Sequence, residues 1–363
     1  MRTRILTLFF LVTGACGGGP EADTTSTTAA PTSATESVAS TTTLPSAGTL
    51  WGFTPFPTRP DLNGVIDAYR IADDHGDLIA HHLDECVPWD ALENRTELPY
   101  DLNDTLQLRT EQSPRDAVVY VAMSLSAIGR DAVAPDCGGV ARERSFADPE
   151  VIAGAKDWAD LLVARLQPVF LNVGVEFNLL DRNRPDLGEG FEALILELID
   201  HIHTRHPGVV VLASVQFDTM ADTAEVAAVA GAVDLLGVSI YPSAFGATSP
   251  PSDDALDALA ALGPRLAIAE TGWPGAPAIV DGTIVPFTEA IQVDYVEWLG
   301  RMAERHDLRL VVWFFPGDPR PVFIDAPPDL QAVAALFATM GLVADDRTPR
   351  PALEVWDRLR AGL

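Results

Sequence analysis

The sequence predicts an α/β fold, a single-domain (β/α)8 TIM barrel, on three observations. Short runs rich in β-branched and apolar residues recur eight times along 49–363. Segments of helical periodicity fall between them, the pattern of parallel strands joined by helical crossovers. Along several runs one face is aliphatic and the other is small or polar. That asymmetry fits strands packed on helices outside and on a narrow interior with a polar rim. Strands of an open parallel sheet, buried on both faces, would be apolar throughout.

The runs lie at 50–53, 78–83, 118–125, 169–175, 209–215, 235–240, 266–269 and 310–314. The first, Leu50-Trp51-Gly52-Phe53, leads into Thr54-Pro55. A doubly wound sheet would show a glycine-rich phosphate loop there. In the second run Ala80, His82 and Asp84 oppose Ile79 and Leu83. In the fourth, Asn172, Gly174 and Glu176 share a face opposite Val173 and Val175. The fifth sets Ser214 and Gln216 against Ala213 and Val215; the sixth sets Gly237, Ser239 and Tyr241 against Val238 and Ile240. Helical periodicity is clearest over 148–166, 191–203, 289–305 and 351–360. His201, His203 and His206 close one of these helices far from the strand C-termini, where they complement the helix dipole.

Two N-terminal segments stand outside the barrel. Arg2 and Arg4 precede an apolar run over 5–12, which leads to Thr13-Gly14-Ala15-Cys16. These features read as a bacterial lipoprotein signal over 1–16, with Cys16 as the lipidated residue. The apolar run is too short to span a bilayer. Residues 17–48 are rich in Thr, Ser and Ala and hold no aromatic residue, so they cannot bury enough surface to offset chain entropy. They read as a disordered tether. The expected address is extracytoplasmic, as a cell-envelope lipoprotein or a secreted protein that meets the membrane only through that anchor.

Asp and Glu total 52 against 24 Lys plus Arg, a formal net charge of −28. This balance repels nucleic acid and anionic surfaces and is compatible with a neutral partner such as a polysaccharide. A monomer is expected. With Cys16 lipidated, Cys86 and Cys137 remain as a pair in an oxidising compartment. They fall in the loops after the second and third strands, which a barrel sets side by side, so a disulfide fits. Two free thiols are the alternative.

Barrel enzymes carry their chemistry at the C-terminal ends of the strands. Those ends hold Asp84, Ser124, Glu176, Gln216, Tyr241, Glu270 and Trp313. Glu176 and Glu270 stand out, on the fourth and seventh strands. Two carboxylates flanking a glycosidic bond are what its hydrolysis requires, one donating a proton and one attacking or activating water. His81 and His82 point to opposite faces of their strand, so only His82 and Asp84 converge. That is too few for a metal, and no cofactor is expected. Hydrogen bonding to sugar is the role expected of His82, Asp84 and Gln216.

The motifs Val173-Gly174-Val175-Glu176-Phe177-Asn178, Ser239-Ile240-Tyr241-Pro242, Ala269-Glu270-Thr271-Gly272-Trp273-Pro274 and Val312-Trp313-Phe314 occur in this order along the barrel. Together they resemble the clan A glycoside hydrolase superfamily, nearest to the endo-β-1,4-galactanase (arabinogalactanase) and β-1,3-glucanase families. The resemblance implies a retaining mechanism with Glu176 as acid/base and Glu270 as nucleophile. It also implies that Tyr241 hydrogen-bonds the nucleophile and that Trp313 floors the cleavage subsite. Trp273 is a further candidate for substrate contact. Clan A members typically carry Asn just before the acid/base, on the sugar 2-hydroxyl, where this chain has Val175. On strand parity Val175 faces away from the pocket, which leaves Asn172 or Asn178 to supply the contact, or a divergent subfamily with altered or absent activity.

Each residue also has a structural alternative: strand-end charges for the glutamates, core packing for Tyr241, Trp273 and Trp313. The reading of the whole is an endo-acting, retaining O-glycosyl hydrolase of a neutral β-linked polysaccharide or oligosaccharide. The alternative is a catalytically silent barrel lipoprotein that binds envelope or extracellular glycans.

Overall fold

The computed structural model describes residues 48–138, 143–220, 222–280, 282–323 and 331–363. The signal segment with Cys16, and the tether apart from Gly48, lie outside them. Among the described residues ten strands run β1 Leu50–Phe53, β2 Leu78–Leu83, β3 Val118–Met123, β4 Phe170–Asn172, β5 Val210–Gln216, β6 Leu235–Ile240, β7 Arg265–Thr271, β8 Ala278–Val280, β9 Thr283–Val285 and β10 Leu310–Trp313. Eight of them close into a parallel barrel in the order β1-β10-β7-β6-β5-β4-β3-β2. β8 and β9 form an antiparallel hairpin in the segment after β7. Major helices of the jacket include Leu62–His75, Tyr100–Gln112, Pro149–Leu166, Pro185–Arg205, Glu289–His306 and Pro351–Arg360. Among the described residues no helix is long and apolar enough to cross a membrane.

Two apolar layers result from the alternation read in the sequence. The inner one joins Leu78, Ala80, Tyr120, Ala122, Phe170, Leu212, Ala267 and Val312 inside the barrel. The outer one joins the opposite strand faces, such as Ile79, Val121, Leu171, Val211, Val238 and Ile268, to the helices. Gly237 belongs inside: a Cβ there would lie 2.9 Å from Ser214 Cβ and 3.2 Å from Ala269 Cβ, so no larger residue fits.

Alternation breaks at two strand ends, and both breaks aim a glutamate. β4 ends at Asn172, whose Oδ1 accepts a hydrogen bond from Gly174 N. Gly174 then faces outward, where a Cβ would approach Ile195 Cδ1 to 2.7 Å. Val175 falls in the inner layer, which corrects the parity reading that pointed it away from the interior. Glu176 follows in the left-handed region, at φ 48°, a conformation that costs a non-glycine residue ~1 kcal/mol or more. In β7 the register slips by one against β6, with Val238 opposite Ile268 but Ser239 opposite Glu270. The bulge leaves Ala269 in the inner layer and still brings Glu270 to the rim, where it meets Tyr241 and His82; such a bulge re-aims a side chain.

Cys86 and Cys137 are joined by a disulfide. The loops after β2 and β3 are further tied by Val87 N to Pro135 O at 3.0 Å, Cys137 N to Val87 O at 3.1 Å and Trp89 Nε1 to Ala134 O at 2.8 Å. A disulfide closing a loop of 51 residues removes chain entropy from the unfolded state, by about 2–4 kcal/mol. Calorimetry of the Cys86→Ser/Cys137→Ser double variant should show a loss of that size; a change under ~1 kcal/mol would mean the polar ties hold the loops unaided.

Candidate active site

Six side chains gather over the C-terminal rim of the barrel: His82 and Asp84 from β2 and its end, Arg130 from the loop after β3, Glu176 after β4, Tyr241 after β6 and Glu270 from β7. All are buried, Glu176 and Glu270 at 4% and 5% exposure. Arg130 Nη2 lies 3.4 Å from Glu176 Oε2 and 3.8 Å from Asp84 Oδ1. His82 Nδ1 lies 3.5 Å from both Asp84 Oδ2 and Glu270 Oε1. The Tyr241 hydroxyl donates to Glu270 Oε2 at 3.3 Å. The chain of contacts Glu176–Arg130–Asp84–His82–Glu270 therefore links the two glutamates.

Three carboxylates in one buried cluster cannot all ionise cheaply. Burial raises the Glu176 carboxyl above its ordinary range, with Arg130 opposing and Asp84 adding to the rise. Glu270 is pushed well above its range, first by burial and then by the charges of Glu176 and Asp84, with Arg130 and Tyr241 opposing. Asp84 goes the other way: burial would raise it, but His82 and Arg130 together outweigh burial and hold it low. Burial thus favours the neutral form of both Glu176 and Glu270, whereas Asp84 is held toward its charged form. A proton on Glu176 removes the like charge that helps to hold Glu270 high.

The other expected contacts are placed differently. Trp313 is fully buried on the outer side of β10, against Trp356 and Tyr295, and its indole N–H donates to Met340 O at 2.8 Å. It does not floor the pocket. Val312 faces inward, so alternation sends Trp313 out and returns Phe314 to the side of His82, 5.0 Å between ring centroids. Trp273 is likewise fully buried in the outer layer, 4.9 Å from Tyr295. Asn172 uses its amide on Tyr120 Oη, Ser214 Oγ and Gly174 N, deep inside the barrel. Asn178 and the Gln216 backbone exchange two hydrogen bonds, 2.9 and 3.1 Å, which clamp the Glu176 turn to β5. The Gln216 side chain bonds Thr219 N and Asp218. All three amides hold the scaffold, because the chain itself satisfies them. Among the described residues no group of three His, Cys, Asp or Glu side chains could hold a metal.

Sequence reasoning missed Arg130 and Asp218. Arg130 sits in a loop with no motif, in the left-handed region at φ 51°. Asp218 Oδ2 accepts from Tyr241 N at 2.7 Å and Gln216 Nε2 at 3.1 Å, which joins the β5 and β6 ends beneath the tyrosine. Burial pushes its carboxyl up to about 6 despite those bonds. A folded-state value above the ordinary 3.8 means that the stabilising contribution is complete below about pH 4 and is lost as pH rises through about 6. Asp218→Asn escapes that loss. Its stability relative to wild type should rise between pH 4 and pH 7.5 by on the order of 2 kcal/mol, read by urea unfolding. A difference independent of pH would show that Asp218 does not titrate in this window.

No protein-family model matches the sequence, and no curated protein matches it. Solved structures do match the fold. A GH5_18 protein from Bifidobacterium longum subsp. infantis superposes with a TM-score of 0.63 at 18% identity, over 87% of this chain and 79% of that one. The chain shares the barrel of such enzymes. A GH5_18 variant from Bifidobacterium longum subsp. longum, in complex with Manβ1-4GlcNAc, gives 0.61 at 16% identity over 86% and 78%. One from Streptomyces cattleya, with the same disaccharide, gives 0.60 at 17% over 86% and 80%.

Proposed function

We propose that this protein is a retaining glycoside hydrolase of neutral β-linked glycans, with Glu176 as acid/base and Glu270 as nucleophile. The observation that carries the reading is the pair itself: two buried glutamates, three strands apart around the barrel, each aimed to the rim by a local break in its strand. The shared fold with GH5_18 enzymes supports it. In the first step Glu176 gives its proton to the glycosidic oxygen as that C–O bond breaks, while a Glu270 oxygen bonds the anomeric carbon. Loss of the Glu176 proton would raise Glu270 again, were Glu270 not already spent in the ester. In the second step Glu176 takes a proton from water, whose oxygen displaces Glu270 and returns it as a carboxylate. Tyr241 orients Glu270 and favours its charged form.

Internal cleavage of a polymer rests on the clan A resemblance alone. The Cys16 anchor and tether would hold the barrel at the outer face of the envelope, within reach of such a glycan. The test is a panel of 4-nitrophenyl β-glycosides together with β-glucans, galactans and mannans, read by 4-nitrophenol and reducing-end release. Turnover of at least one substrate is expected. Binding without turnover would replace the hydrolase with a silent glycan-binding barrel.

A further inference from the structure

We propose that Arg130 and Asp84 form a clamp for neighbouring hydroxyls of a neutral sugar ring seated between Glu176 and Glu270, which makes Arg130 a specificity-determining residue. The proposal deepens the glycan-binding part of the reading above. Its first support is a set of unmet hydrogen bonds. Asp84 Oδ1, Arg130 Nε and both ring nitrogens of His82 are buried without a hydrogen-bond partner. Leaving such groups unpaired is costly, and four of them around one carboxylate pair mark a place where a ligand supplies the partners. The second support is spacing. At 3.8 Å the Arg130 and Asp84 charges are too far apart to hydrogen-bond each other. A hydroxyl beside them accepts from the guanidinium and donates to the carboxylate.

The loop is built to present that guanidinium. Arg130 N donates to Ala127 O at 2.7 Å, and Nη1 donates to Ser124 Oγ at 2.8 Å. Asn183 Nδ2 reaches the carbonyls of Gly129 and Arg130, both at 3.1 Å, from the end of the helix Phe177–Asn183 that Glu176 starts. A left-handed arginine persists only where its surroundings over-determine it. Arg130 also stands where donors are scarce: Val175, the inward residue before Glu176, has none to offer, and Asn172 and Asn178 are spent within the chain. Crowding sets the ligand class. Asp84, Glu176 and Glu270 already put three carboxyl groups against Arg130 and the His82 ring, and two of the three are raised by burial and like charge. A fourth carboxylate from a uronate would therefore be disfavoured and a neutral ring accepted.

The experiment compares wild type, Arg130→Met, Arg130→Lys and Asp84→Asn on the best 4-nitrophenyl glycoside of glucose, galactose or mannose, on its monodeoxy analogues and on the β-glucuronide. Wild type should prefer the parent over at least one deoxy analogue by about 100-fold or more in kcat/KM. Arg130→Met should collapse that ratio to within about fivefold, and Arg130→Lys, which keeps the charge but loses the planar fork, should fall between. A merely structural arginine would slow every substrate alike and leave the ratio intact, which overturns the clamp. If Arg130→Met does not fold, Arg130→Lys and Asp84→Asn read the same ratio. Preference for the glucuronide overturns the neutral-ring assignment. If wild type cleaves nothing, methyl glycosides and their deoxy analogues are titrated by calorimetry. Hydroxyl-dependent binding lost in Arg130→Met then sustains the clamp while the hydrolase reading falls; absence of both cleavage and binding ends both.

Discussion

Glu270→Gln should lower kcat on the best aryl glycoside by ~10⁴-fold or more, because an amide cannot form the glycosyl ester. The fold should survive the change, and at neutral pH its stability should match or exceed wild type. Glu270 is held well above the ordinary carboxyl range by burial and by Glu176 and Asp84. An ionised glutamate at that position therefore costs stability, and glutamine removes the cost at nearly constant volume. Both halves come from one crowded set of charges. A variant within tenfold of wild-type kcat would remove Glu270 from the chemistry; a strongly destabilised one would mean that its charge is compensated better than the geometry indicates.

Glu176→Gln should separate substrates by leaving group. With a poor leaving group, such as a second sugar, departure needs the proton from Glu176, and its loss should cost about 10²–10⁴ in kcat/KM. With 2,4-dinitrophenol, which departs as a stable anion, the same variant should lose less than about tenfold in that parameter. Equal losses on both would argue that Glu176 holds the sugar or the loop instead of delivering a proton. The reverse assignment, with Glu270 as the acid, would show the leaving-group dependence in Glu270→Gln. Since burial raises both carboxyls, the two variants together decide which of them delivers the proton.

The barrel was legible because its causes are local and repeated. Alternation along β2, β5 and β6 separates an aliphatic face from a small or polar one, and the two layers of core follow from it. Glu176, Glu270 and Tyr241 were legible as polar residues at strand ends. What alternation could not reveal is where it fails. The outward turn of Gly174, the inward Val175 and the slip at Ala269 depend on contacts with Ile195, Ala213 and β6 that come from distant sequence. Trp313 is a different case. The run Leu310-Val311-Val312-Trp313-Phe314 is apolar on both faces, so its period could not tell inside from outside; the packing that sets Val312 inside sends Trp313 out. The amides misled for another reason: whether Asn172 and Asn178 are free depends on Tyr120, Ser214 and Gln216, partners from β3 and β5. Arg130 carried no signal, since a left-handed turn in a long loop has no periodicity to read.

The covalent step offers one measurement of the whole arrangement. Wild-type protein incubated with the 2-deoxy-2-fluoro analogue of its best glycoside, then digested and mapped by mass spectrometry, should carry a single glycosyl adduct on the peptide containing Glu270. Turnover without any adduct, or an adduct on another side chain, would contradict a nucleophile brought to the rim by the bulge in β7.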